Sequence, residues 1–356
     1  MSGFQELLNS QHHLTTYHLY HDGAKHVLIS PEKQSKDARK ARKRNTTKYA
    51  ADTTTADPPG SFYMHRPFLS FHSAPRTLRD GGAKTGAPIC IMNGSPLWTR
   101  WNLQFGEEEL AQALDPRGVV AWQSRSNANN SRDNDDTALK GYKVRSWRLW
   151  GESGKAYHRE VNAARKQDKP DLRRPSDKGS SAASCTEDEG ETRDAVRAAY
   201  ASSLKWVSPI SSRARWYQMT HDGIDLVWKG TRDLRRGQSM RRCLMPFHHL
   251  KLVARLPPLF VGDRDSEVLL AQYSSSWGSD KQGSLVILDE VVSRIFDRGR
   301  SLSESSGLHG AKRADHLKRV YNLILTTALC MIVGEEQKRG IIVAVLALVA
   351  DAAGGG

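Results

Sequence analysis

The sequence is poor in cysteine. Cys90, Cys185, Cys243 and Cys330 lie far apart, and no C-x-x-C pair exists. This argues against a zinc ribbon and a redox dithiol, and fits a reducing compartment better than secretion. Apolar residues are also scarce, at 38%, so part of the chain is predicted to stay outside any core. The opening stretch MSGFQELLNSQHHL lacks a basic segment followed by an apolar one, and is not expected to act as a secretory signal.

Catalytic signatures are missing as well. LWGESGKAYH suggests a phosphate loop, but that loop needs G-x-x-x-x-G-K-[ST], and here Leu149 and Ala156 occupy the first and last positions. The same glycines miss the G-x-S-x-G spacing of a nucleophile elbow, so the stretch reads as a turn. No H-E-x-x-H pair, EF-hand loop or dinucleotide fingerprint occurs. The chain is therefore expected to be non-enzymatic and to need no cofactor or metal, with an enzyme whose site goes unrecognised in the sequence as an alternative.

What is present is positive charge, a formal +14 over 356 residues. It favours an anionic partner, either an anionic phospholipid or membrane surface, or nucleic acid. Solvated basic loops would leave the same imprint. A cytoplasmic location fits, nuclear or peripheral at membranes. Polar stretches divide the chain. Residues 31–60 carry almost no apolar side chain, and Glu32 to Arg44 hold seven basic and two acidic residues. KDARKARKR within it suits a nuclear address or a soluble basic loop. Lys166 to Asp194 is rich in Pro, Ser, Gly and mixed charge. Both are expected to be disordered insertions, because neither can bury enough surface to offset chain entropy. Shorter polar runs at Ser124–Asp136 and Asp297–Gly310 read as loops.

Between these runs apolar residues recur at a spacing of two. In FHHLKLVARLP, Leu250, Leu252, Ala254 and Leu256 share one face, and His249, Lys251, Val253 and Arg255 the other. FYMHRPFLSF, APICIM, LWTRWNLQF, YKVRSWRLW, EVLLAQY and SLVILDE are further strand candidates. About a dozen short strands suit a barrel or a sandwich. His-Asp-Gly occurs twice, at His21-Asp22-Gly23 and His221-Asp222-Gly223, each time between alternating runs. Asp-Gly supplies the two positive-φ positions of a type I′ hairpin. Each turn is read as structural, with a metal site at the histidines as the alternative.

VYNLILTTALCMIVG (Val320 to Gly334) is apolar nearly all round, and IIVAVLALVA follows after the charged EEQKRG. A helix apolar on every side lies in lipid or at the centre of a protein. Fifteen residues reach only about 22 Å, short of a bilayer core, which favours the centre. An anchor using both runs is the alternative.

Basic residues interleaved with aromatics are the remaining functional signal. The candidate anion-binding set is Lys143 and Arg145 in YKVRSWRLW, with Lys229, Arg232, Arg235, Arg236, Arg241 and Arg242 in KGTRDLRRGQSMRR. It would hold a phospholipid headgroup, or alternatively nucleic acid, unless it is only a solvated outer face.

The stretches SPLWTRWNLQFG, LDPRGVV, GYKVRSWRLWG, GIDLVWKGT, FHHLKLVARLP and LILTTALCMIVGEE resemble the tubby C-terminal-like fold of tubby, LURP-one-related and phospholipid scramblase proteins, and most of all fungal proteins of that type. The resemblance implies a mainly β chain, a closed antiparallel barrel of about twelve strands around a hydrophobic C-terminal helix. It implies no catalytic residue. The acidic calcium-binding segment and the acylated cysteine cluster of scramblases have no counterpart here. The resulting division is an N-terminal hairpin (1–30), a basic insertion (31–60), the first half of the barrel (61–165), a second insertion (166–195), the second half (196–296), a loop (297–310), the central helix (311–340) and an apolar tail (341–356).

Overall fold

The computed structural model describes residues 13–22, 26–35, 37, 58–67, 75–95, 99–114, 120, 136–139, 196–207, 216–230, 249–256, 266–276, 281–298 and 309–354. Twelve strands form a closed antiparallel barrel: β1 (Leu14–Asp22), β2 (His26–Ser30), β3 (Phe62–His65), β4 (Arg76–Asp80), β5 (Pro88–Gly94), β6 (Arg100–Phe105), β7 (Tyr200–Trp206), β8 (Trp216–His221), β9 (Ile224–Gly230), β10 (His249–Leu256), β11 (Ser266–Ser275) and β12 (Lys281–Leu288). Each strand pairs with its neighbour in sequence, and β1 against β12, from Leu14 opposite Leu288, closes the cylinder. Three helices accompany it: α1 (Glu107–Ala113), α2 (Asp289–Arg298) and α3 (His309–Gly354).

Alternation places one face of each strand inside. On β10 the inward set is Leu250, Leu252 and Ala254, as the spacing predicts. Barrels of about eight strands are filled by side chains alone, and diameter grows with strand number, so twelve leave room for a helix about 10 Å across. α3 fills that room. Val320, Leu323, Ile324, Leu325, Ala328, Leu329, Cys330 and Met331 are all at most 1% exposed. Trp228 of β9 is fully buried against it and donates from its indole Nε1–H to Thr327 Oγ1 at 2.9 Å. Thr327 in turn donates to the Leu323 carbonyl of the preceding turn at 2.8 Å, so this polar pair is satisfied inside an apolar core.

Four expectations need correction. The second His-Asp-Gly forms the expected two-residue turn, with Asp222 at φ 50° and Gly223 at φ 75°. The first does not. Asp22 is still paired with His26, so the reversal falls in residues 23–25, outside the described residues. SLVILDE is not strand throughout: β12 ends at Leu288 and α2 begins at Asp289, whose carboxylate accepts from Thr15 Oγ1–H and Tyr321 Oη–H. The central helix and the apolar tail are one continuous helix, since EEQKRG does not interrupt α3. Nor can both apolar runs anchor in lipid. The one helical segment among the described residues long and apolar enough to cross a membrane, Arg313–Gly334, is 78% buried, and the barrel is what covers it. The expected strand YKVRSWRLW and the insertion 166–195 lie outside the described residues, as does most of 31–60.

Candidate anion-binding pocket at the distal rim

The two rims of the barrel differ in charge pairing. At the proximal rim, where α3 goes in, ion pairs tie the helix down: Lys318 to Glu107 at 2.7 Å, and Arg313 to Asp297. The Asp222 carboxylate lies 3.8 Å from His221 Nε2 and 3.4 Å from His316 Nε2. Burial pushes the His221 imidazole below its usual pKa, with His316 adding to that and Asp222 opposing it. Among the described residues no three His, Cys, Asp or Glu side chains are grouped as a metal would need.

At the distal rim, where α3 leaves, a buried basic group has no ion-pair partner among the described residues. Arg76 opens β4, and a spacing of two puts it on the inward face with Leu78. It is 5% exposed, yet it makes no hydrogen bond or ion pair among the described residues, and its Nε is buried without an acceptor. Its guanidinium lies 5.6 Å from the centre of the Trp101 ring. Gly334 of α3 lies beside that ring, where an added Cβ would make ordinary van der Waals contact at 3.4 Å. Burial first, and then Arg66, lower the Arg76 pKa to about 10, with Cys330 and Glu336 opposing the shift. The group therefore stays cationic at neutral pH, in surroundings that do not compensate it.

Arg76 lines a pocket of about 190 Å³. Its polar wall comes from His21, His26, Arg66 and Glu336, and Val27, Met64 and Val333 supply the apolar one. The His26 Nδ1 accepts from the Arg66 backbone N–H at 3.1 Å. That bond leaves the ring proton on Nε2, which makes Nε2 a donor. The ring is held in place by stacking between Tyr63, at 5.6 Å, and His65, at 5.0 Å. Glu336, the one carboxylate in the lining, is engaged by the Gln282 amide and lies 3.9 Å from His21 Nε2. The pocket thus presents two guanidinium cations, Arg66 and Arg76, against the single carboxylate of Glu336.

His65 gives the rim a pH dependence. Burial first, then His26, Arg79 and Lys84, lower its pKa to about 4. The unfolded chain, with an ordinary value near 6.5, binds this proton more readily than the native one. The neutral ring's contribution is complete above about pH 6.5 and is lost as pH falls toward about 4. Stability measured by urea denaturation across that interval is expected to fall for the wild type and to fall less for His65→Asn.

Of the anion-binding set read from sequence, only Lys229 lies among the described residues. Lys143, Arg145, Arg232, Arg235, Arg236, Arg241 and Arg242 lie outside them. Lys229 stands on the outer face of β9. Its ammonium is paired with Glu267 of β11 and sits 4.8 Å from the Trp216 ring centre. Arg255 of β10 joins the same ladder, 3.3 Å from Glu267 and 5.3 Å from the Trp216 ring. Hydrogen bonding from Lys229, more than any other influence, holds the Glu267 carboxyl below its usual pKa. Lys229 is thus committed to a neighbour and is not part of the pocket lining. Arg76 escaped the sequence reading because RTLRD looks like a polar surface strand. The available signal was the phase of Arg76 with Leu78. No family model, curated protein or solved structure matches this chain.

Proposed function

We propose that this barrel is a binding protein, not an enzyme, and that it captures an anionic group of the phospholipid-headgroup kind in the distal-rim pocket. The observation that carries this reading is Arg76, a buried cation that makes no ion pair among the described residues, with Glu336 of the same lining bonded to Gln282 instead. An isolated charge in an apolar setting is costly unless something pairs with it. Phosphate and carboxylate match the guanidinium fork, and Arg66 adds a second cation to the lining. A cavity of about 150 Å³ holds a benzene molecule. One phosphate with a small substituent therefore fits this pocket of about 190 Å³. The tubby-like resemblance of the sequence agrees with a non-catalytic lipid-facing barrel.

The test is thermal unfolding with glycerol 3-phosphate, which carries the headgroup chemistry without acyl chains. At a hundredfold excess over Kd the wild-type Tm should rise by about 4 °C. Phosphates also stabilise proteins by exclusion from the surface, so the reading lies in the difference from Arg76→Met. That variant should lose the specific rise and be at least as stable as wild type in anion-free buffer. An equal rise in both proteins, or a destabilised Arg76→Met, would show that Arg76 is structural.

A further inference from the structure

We infer that the protein docks on an anionic membrane by inserting the distal segment of α3, Ile341 to Ala350, into one lipid leaflet. α3 does not stop at the barrel rim. It passes the pocket at Glu336 and Gln337 and continues as helix to Gly354. Between Gly340 and Asp351 it reads IIVAVLALVA, without one polar or charged residue. Where its side chains are described, they face solvent: Leu348 is 69% and Val349 60% exposed. Among the described residues the only other large apolar side chain so exposed is Val207, on the barrel itself.

A helix apolar on every face must be covered on every face. A groove on a partner protein covers one side and leaves the rest wet, whereas lipid surrounds the whole cylinder. The length agrees. At 1.5 Å per residue the segment is roughly 15 Å long, too short to span a hydrocarbon core of roughly 30 Å, and Asp351 at its far end is held at headgroup level, so the helix lies within one leaflet without crossing it. Charge agrees too. Lys338 and Arg339 immediately precede the apolar stretch, and Arg66 and Arg76 line the pocket beside its base. Cations at headgroup level select anionic lipid. The insertion does not depend on the pocket reading, and it fixes which surface the pocket would face.

The experiment is co-sedimentation of the full chain with vesicles of phosphatidylcholine alone and of phosphatidylcholine with phosphatidylserine, at low and high salt. Wild type should sediment with the anionic vesicles and remain bound at high salt, because salt screens the charges and not the apolar contact. Leu348→Asp/Val349→Asp alters only exposed side chains, so its Tm should match wild type. Its partitioning should drop about 100-fold. Arg76→Met should still partition while losing its response to glycerol 3-phosphate, which separates this inference from the binding one. Complete release of wild type by salt would overturn insertion, as would equal partitioning of the double variant. So would a vesicle-free wild-type oligomer that the double variant dissolves, since a second copy would then be the cover.

Discussion

Leu329→Asp is expected to abolish folding. Leu329 is fully buried near the middle of α3, with barrel strands on all sides. A carboxylate there would lose its hydration and gain no partner. The milder Leu329→Ala should cost about 2–5 kcal/mol, from lost transfer energy and from a cavity that a closed barrel cannot collapse around. Removing residues 323–356 should leave an insoluble remainder, because the inward faces of twelve strands would then surround nothing. Cooperative thermal unfolding and solubility report each outcome. A soluble truncated protein with a sharp transition would show that the barrel stands without its helix.

Trp228→Ala should be nearly as damaging, at about 3–5 kcal/mol. Trp228 is the largest of the fully buried side chains and reaches from β9 to Thr327 on the helix. Trp228→Phe separates the two contributions. It keeps most of the ring and removes the indole donor, so it should cost about 1 kcal/mol for the hydrogen bond plus a smaller packing loss. Thr327 keeps its bond to the Leu323 carbonyl, so its hydroxyl is not left bare. Urea midpoints at constant slope measure both values. A Trp228→Ala midpoint close to wild type would mean that the strand-to-helix contact contributes little.

These two sites were legible in sequence to different degrees. The apolar run around Leu329 was plain, because a helix apolar on all sides must be covered by lipid or by protein. The strand holding Trp228 was marked by the Asp222-Gly223 turn that begins it. Arg76 was not legible, because its meaning comes from three things that alternation does not encode: which face is inside, that the rim is open there, and that Glu336, the carboxylate in the pocket lining, is bonded to Gln282 and not to it. Lys229 failed in the opposite way. Its partner Glu267 is 38 positions away and is brought close only through the pairing of β9, β10 and β11. The short helices α1 and α2 were missed as well. EEELAQA buries only Leu110 and Ala113. DEVVSRIFDR follows β12 with no intervening loop, so its start looked like the end of a strand.

The order of elements along the chain has a consequence for biosynthesis. The helix that the barrel encloses lies downstream of every strand, and the closing contact joins Leu14 to Leu288. A ribosome adding about 5–20 residues per second needs on the order of tens of seconds to go from β1 to Leu329. Throughout that interval the nascent strands present inward-facing apolar side chains with no helix to receive them. Each new hairpin can form locally, but the cylinder must stay open until its core arrives, and α3 must be enclosed rather than threaded. Chaperone capture during translation, and slow, aggregation-exposed refolding from denaturant, follow from that order.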